Sequence, residues 1–347
     1  MWLLDRLDGG NQAYRIPFAL RLTGTLDVDA LTRSIEMIVD RHESLRTRFG
    51  TRDESPVQFS DEEFRPRLEH QDLDDVEPAQ RESELYARFR ELSASTLDLE
   101  RGPLMRLALV HVDTTHHALI GVMHHIVSDA GSIAVFVKEL ALLYQANVDG
   151  AADPLPALDI QYGDFASWQR QQLDGGTLSS ELDYWREKLA GLPALEMPTD
   201  RPRPRRQGFS GRGERCVLDA KLSDTLRSFS AKRGTTLFVT LLTAFAAVLH
   251  RTSAQVDLAI GTAVSNRDRK ELEGLIGLFV NLLVLRIDAS GNPSLDALHE
   301  RVREAVLEAF GHGRVPFEML VRELKPDRDP ARNPLAQVQF SMQSARG

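Results

Sequence analysis

A proline-arginine segment over residues 193–213 sets the first limit on how this chain can fold. Pro193, Pro198, Pro202 and Pro204 are interleaved with Arg201, Arg203, Arg205 and Arg206. Each proline lacks the amide proton that a helix interior needs, and its ring clashes with the preceding turn, so the segment cannot be one helix. It reads as an extended crossing between two folded parts. A solvated linker is the plainer use of its arginines, and an acidic partner is the alternative. A length of 347 residues suits two domains or two lobes. The expected organisation is a first lobe at 1–172, a connecting segment at 173–213 and a second lobe at 214–347.

Hydrophobic periodicity supports an α/β chain on both sides of that segment. Strand character is expected at 15–26, with Phe18, Leu20 and Leu22 alternating, and Asp27 or Asp29 then caps a helix carrying Leu31, Ile35, Ile38 and Val39. Residues 50–66 are polar and turn-rich, and 72–100 is acidic and helical in pattern. Residues 104–112 and 118–123 read as paired strands joined near Thr114 and Thr115, followed by a helix from about Ser132. The second half expects a strand at 214–218, helices from Ser223 and over 237–249, strands at 256–264 and 279–287, and a helix at 295–310. The similar order of elements raises an internal duplication, although no repeat is visible residue by residue.

Composition removes several functions. The single cysteine, Cys216, excludes an internal disulfide and a cysteine-cluster metal site, and it fits a reducing compartment. A net charge of −9 argues against general affinity for nucleic acid or anionic membranes. The longest apolar stretch, near 237–249, is interrupted by Thr240 and Thr243 and falls short of the roughly 20 residues that span a bilayer. Asp5 and Arg6 follow Met1-Trp2-Leu3-Leu4 at once, so no signal sequence is read, and a cytoplasmic location is expected.

The most informative stretch is 118–132, where an apolar strand runs into His124 and His125, then a polar turn with Asp129 and Gly131, then a helix start. Titratable groups at the end of a buried strand are positioned by rigid backbone. Neighbouring strand residues point to opposite faces, so the two imidazoles cannot chelate one metal while the strand persists. The remaining histidines are too scattered along the chain to supply further ligands. One histidine facing a cavity and one packed inside is the better reading; two satisfied core histidines remain the alternative. Neither a Gly-x-Ser-x-Gly elbow nor a glycine-rich phosphate loop is present.

His124-His125-Ile126-Val127-Ser128-Asp129-Ala130 resembles the His-His-x-x-x-Asp-Gly signature of nonribosomal peptide synthetase condensation domains, in the chloramphenicol acetyltransferase-like superfamily. Further blocks strengthen the likeness. Arg41-His42-Glu43-Ser44-Leu45-Arg46-Thr47-Arg48-Phe49 resembles Arg-His-Glu-x-Leu-Arg-Thr-x-Phe, and Tyr162 to Arg170 resembles Tyr-x-Asp-Phe-Ala-x-Trp-Gln. Gly277-Leu278-Phe279-Val280-Asn281 is similar to Gly-x-Phe-Val-Asn, and the blocks at Val315-Pro316-Phe317 and Arg332-Asn333-Pro334-Leu335 follow in the family's order. Three positions depart. Ala130 stands in place of the signature glycine, with Gly131 next to it; Ala336 stands where phenylalanine is frequent, and Leu282 where threonine is frequent. A positive φ at 130 would make alanine costly there. Against the family pattern both ends look shortened, and strands completing the second lobe are expected beyond Gly347.

The resemblance implies an α/β fold of two such lobes in a V-shaped pseudo-dimer, with mixed sheets flanked by helices and a tunnel between the lobes. It implies amide bond formation between a donor aminoacyl or peptidyl thioester and the amine of an acceptor aminoacyl thioester. Both are carried on the phosphopantetheine arms of carrier proteins, so no cofactor is bound directly. Implied partners are the donor and acceptor carrier proteins and neighbouring adenylation domains, without nucleic acid or membrane. His125 is the implied catalytic or positioning residue. His124, Asp129, Gly131, Arg41, Arg46 and Arg286 are supporting residues, with Arg41 or Arg286 expected to pair with Asp129. Tyr162, Trp168, Trp185, Asn281 and Pro334 are tunnel or lobe-interface candidates. An epimerisation or dual epimerisation/condensation domain, a non-catalytic carrier-binding module, and an acyltransferase using a free thioester are the alternatives.

Overall fold

A computed structural model describes residues 1–2, 5, 12–53, 55–62, 64–65, 67–176, 178–205, 208, 211–326, 329 and 331–343. Leu3, Leu4, Arg6 and Arg206, named above, lie outside the described residues. The chain divides into two units. The first comprises Met1–Gln171 together with Arg267–Phe279, and the second Gln172–Asn266 together with Val280–Gly347.

Strands β1 (Arg15–Thr23), β4 (Leu68–Asp72), β5 (Met105–Asp113) and β6 (His116–His124) build the first unit's main sheet in the order β1-β6-β5-β4. The pairs β1–β6 and β5–β6 are antiparallel, while β4–β5 is parallel and is bridged by helix α2 (Arg81–Ser93). Strand alternation gives the sheet two apolar faces. Met105, Leu107, Leu109, Leu119 and Met123 pack with α1 (Val28–Arg41) and α3 (Ala130–Asp149). Ala108, Val110, Ala118, Ile120 and Val122 pack with Leu92 of α2. Gly121 is required where it stands, because a Cβ there would lie 2.4 Å from the Phe18 ring. Asp27 is the cap of α1, accepting the Ala30 amide at 2.8 Å. The polar region 50–66 is not a plain loop: β2 (Thr47–Arg52) and β3 (Ser55–Ser60) pair there as a hairpin. Helix α4 (Tyr162–Asp174) closes this part of the chain.

The second unit carries α5 (Ser179–Lys188), α6 (Ala220–Lys232), α7 (Leu237–Ser253), β7 (Asp257–Val264), β8 (Asn281–Asp288), α9 (Leu295–Gly311), α10 (Phe317–Leu324) and β9 (Val338–Gln339); α8 (Lys270–Glu273) lies in the first unit's returning segment. Its sheet order is β8-β7-β9, antiparallel then parallel. Leu242, Ala246 and Leu249 of α7 and Leu298 and Val302 of α9 join one core with Leu258, Ile260, Leu283 and Leu285 of the sheet. No single described helix is long and apolar enough to cross a membrane, and the apolar stripe of α7 is buried in this core.

These units differ from a division at 1–172, 173–213 and 214–347. The region 173–213 is not all linker, because Leu182, Trp185 and Leu189 of the α5 region enter the second core. Its arginine-rich part is irregular and exposed, as proline content requires. Residues 214–218 form no strand: Glu214 and Arg215 are followed by three successive apolar residues, Val217 is 77% exposed, and no strand pairs with them among the described residues. Arg267–Phe279 lies within the second half of the sequence yet folds with the first unit. Ala336 is buried against Gly261 of β7, so the small side chain fits the space available.

Candidate active site

Strand β6 ends at His124, and His125 is the first residue of the turn that follows. The opposite-face rule therefore stops one residue short of separating them; the turn itself does so. His124 is buried, its Nδ1 accepts the Ile126 amide at 3.0 Å, and its Nε2 stands 3.7 Å from the Asp5 carboxylate. Burial pushes its pKa down to about 4, with the Asp5 carboxylate opposing that shift, so the ring is neutral near pH 7.

His125 is half-buried and fixed at two points. Its amide donates to the Tyr14 carbonyl at 2.7 Å, and its Nδ1 lies 2.9 Å from the Ser128 carbonyl. A carbonyl oxygen only accepts, so Nδ1 carries a proton, and whenever the ring is neutral the lone pair is on Nε2. Nε2 has no hydrogen-bond partner among the described residues. This is the protonation pattern of a base or of an acceptor that orients an amine.

The turn is held by a buried polar network. Asp129 caps α3: its Oδ1 accepts from the Ser132 amide at 2.8 Å, the Ser132 hydroxyl at 2.8 Å and Arg267 Nη2 at 3.1 Å, while Oδ2 accepts the Phe279 amide at 3.0 Å. The Ser132 hydroxyl also lies 2.8 Å from the Gly277 carbonyl and accepts the Gly277 amide at 3.0 Å and Arg267 Nη2 at 2.9 Å. Arg267 Nη1 donates to the carbonyls of Leu272 and Leu275, and its guanidinium lies 4.0 Å above the Phe279 ring. Gly131 lies close against this network: a Cβ there would come 3.1 Å from Arg267 Nε and 3.3 Å from Asp129 Oδ1. Ala130 is the exposed first residue of α3, in helical conformation, so the feared positive φ does not arise and alanine is well suited.

The expected partners of Asp129 are corrected here. Arg41 pairs with buried Glu139 at 3.1 Å and donates to Pro156 O at 2.7 Å. Arg286, in the second unit, forms a two-bond pair with Asp257 at 2.9 and 2.7 Å. The true partner, Arg267, belongs to the charged run Arg267-Asp268-Arg269-Lys270, in which nothing marks one residue from the others. Arg46 donates to the Val39 and Asp40 carbonyls and closes the end of α1.

The aromatic and loop candidates divide between the units. Tyr162 donates to Leu278 O at 3.0 Å and packs edge-on to Phe279, bracing the same returning segment. Trp168 is 38% exposed, with the Arg269 guanidinium 4.6 Å over its ring. In the second unit Trp185 is buried and donates to His312 O at 2.9 Å. Asn281 donates to Gly313 O and Val315 O and accepts the Leu282 and Phe317 amides. Both are internal braces of that unit. Pro334 is half-buried, and its carbonyl accepts the Ala336 amide at 2.7 Å. Away from the doublet, strand pairing gathers residues that looked scattered in sequence: one ligand atom each from Asp72, Asp74 and His111 lies within 4.8 Å of the others.

The fold of helix-flanked mixed sheets is shared with known proteins. The family model described as "Condensation domain" matches residues 1–347, and the chain belongs to that family. It is 42% identical over 344 residues to chondramide synthase cmdD of Chondromyces crocatus, covering 99% of this chain and 9% of that protein. Against phosphinothricin tripeptide synthetase PhsB of Streptomyces viridochromogenes the identity is 41%, covering 99% of this chain and 29% of the relative. The chain thus spans a small part of the curated relatives it matches. Among solved structures, the X-domain from teicoplanin biosynthesis superposes with a TM-score of 0.88 at 31% identity, covering 97% of this chain and 74% of that one. The first condensation domain of the calcium-dependent antibiotic synthetase, in complex with a substrate analogue, gives 0.79 at 25% identity, covering 99% and 78%.

Proposed function

We propose that this chain joins two carrier-bound substrates in nonribosomal peptide biosynthesis. The acceptor aminoacyl thioester presents its amine to the donor aminoacyl or peptidyl thioester carbonyl. An N–C bond forms, the C–S bond breaks, and the proton lost by the amine ends on the departing thiol of the donor phosphopantetheine. His125 is the residue at this chemistry. The observation that carries the reading is its locked tautomer: Nδ1–H is spent on Ser128, and Nε2 is left to meet the amine. Through that atom the ring takes the amine's proton or orients the amine and steadies developing charge. Asp129, Ser132 and Arg267 act through the backbone of the turn.

The partners on this reading are donor and acceptor carrier proteins, with adenylation domains alongside in a cytoplasmic assembly line. The pantetheine arms arrive with the substrates, so the chain itself needs no resident cofactor. The test is product formation from two loaded carrier proteins, monitored by mass spectrometry. His125→Ala should lower turnover by about 10²–10⁴-fold, with far-ultraviolet circular dichroism unchanged. Unchanged turnover would remove His125 from the reaction. Solvent deuterium entering the α-carbon of a single loaded substrate would instead mark an epimerising domain, and product from a free thioester without a carrier would mark a different acyltransferase.

A further inference from the structure

Glu139 is an acidic side chain in the middle of α3, 5% exposed among apolar neighbours, and the reaction above makes no use of it. Burying a carboxylate is costly unless it is paired. Its Oε1 accepts Arg41 Nε at 3.1 Å, and its Oε2 lies 2.8 Å from His42 Nε2. His42 is 1% exposed, and its other nitrogen, Nδ1, accepts the Ile276 amide at 3.4 Å. An amide can only donate, so the His42 proton sits on Nε2 and is given to Glu139. Beside it, the Ser44 hydroxyl donates to the Ile276 carbonyl at 2.6 Å. The peptide groups flanking Ile276 are therefore held on both their donor and acceptor sides.

The next residues of the same segment are those that hold the catalytic turn. Gly277 meets Ser132 through both its amide and its carbonyl, and the Phe279 amide is bound to Asp129 Oδ2. A shift of this segment at Ile276 is passed within three residues to the carboxylate that caps α3, and Asp129 adjoins Ser128, whose carbonyl fixes the His125 tautomer. We propose that His42, oriented by Glu139, is a positioning residue for His125, acting by setting the register of residues 276–279. All of these groups lie in the first unit. The turnover part of this inference rests on the condensation reading.

Two substitutions divide the two bonds of His42. In His42→Asn, the side-chain oxygen stands as many bonds from the backbone as Nδ1 and can accept the Ile276 amide, while the donor to Glu139 is lost. In His42→Gln, the amide nitrogen can still reach Glu139, while the acceptor for Ile276 is lost. Steady-state turnover, thermal midpoint and the ¹⁵N signal of His125 Nδ1–H are measured for both. The expected result is a crossing. His42→Gln lowers kcat by about tenfold or more with little change in KM, because a misplaced catalytic group loses effective molarity, and it shifts the His125 signal. His42→Asn has the lower melting midpoint, because it leaves part of a buried carboxylate unpaired, yet it keeps the higher kcat and an unshifted His125 signal. If kcat ranks with the midpoint, or the His125 signal stays in place in His42→Gln, the inference is overturned. A wild-type chain that makes no product would defeat the condensation reading instead, and the His125 signal would still decide this one.

Discussion

At the scale of single residues, two adjacent histidines are given opposite properties by backbone contacts. His125 gives its Nδ1 proton to Ser128 and stays half-buried, whereas His124 is enclosed and has its Nδ1 taken up by the Ile126 amide. The pKa of His124, down to about 4 from 6.5, has a consequence for stability. Below pH 6.5 the unfolded chain takes up a proton at this ring while the folded chain resists it, so the folded state loses ground as pH falls towards 4. Above pH 6.5 neither state binds the proton and the effect vanishes. Across that window the loss attributable to this ring is roughly 3 kcal/mol. Urea unfolding of wild type and His124→Gln at pH 7, 6 and 5 checks this: the gap between them should narrow as pH falls. A constant gap would mean that His124 is protonated equally in both states. The doublet was readable in the sequence because a strand pattern ran straight into it. The identity of Asp129's partner was not, since Arg267 is 138 residues away and only folding brings its guanidinium to the carboxylate.

At the scale of elements, the start of α3 is where packing overrides motif. Asp129 caps the helix, as its residue type and position suggest. The tight point, however, is a close approach at 131 and not the backbone conformation at 130. Gly131→Ala should therefore cost about 1–2 kcal/mol, because Arg267 and Asp129 are pinned by the network and must give way to the methyl group by a few tenths of an ångström, which outweighs alanine's helix preference. Ala130→Gly, on the exposed first turn, should cost at most about 1 kcal/mol through backbone entropy. Chemical denaturation of the two variants should rank them in that order, and a larger loss at 130 would show that the turn is strained there after all. Helices α1, α7 and α9 were legible because each keeps its apolar face over three turns or more, and strands β5 and β6 because their apolar runs face each other across a short polar turn. The hairpin β2–β3 was not, because its mostly exposed residues carry no apolar alternation. The segment at 214–218 failed in the opposite sense: the short apolar run Cys216-Val217-Leu218 reads as a strand but has no strand to pair with among the described residues.

At the scale of the whole molecule, sequence order and spatial membership part company at Arg267–Phe279. Local patterns report on neighbours in the chain, and these thirteen residues are flanked by β7 and β8 of the second unit while their side chains and amides serve the first. Arg267, Gly277 and Phe279 bind Asp129 or Ser132, and Ile276 is buried in the first unit's core. This arrangement makes a prediction about cleavage. Residues 201–205 and 211–218 are irregular and exposed, which is the condition for nicking by a protease. Trypsin cuts poorly before proline, so Arg201 and Arg203 are protected by Pro202 and Pro204, and the first cuts should follow Arg205, Arg212 or Arg215. The C-terminal fragment then carries residues 267–279, which complete the network around Asp129. The two fragments should consequently co-elute on gel filtration under native conditions and separate in urea. If they parted without denaturant, residues 267–279 would be an adjustable strap and not an integral part of the first unit, and the turn bearing His125 would have to hold its shape without Arg267.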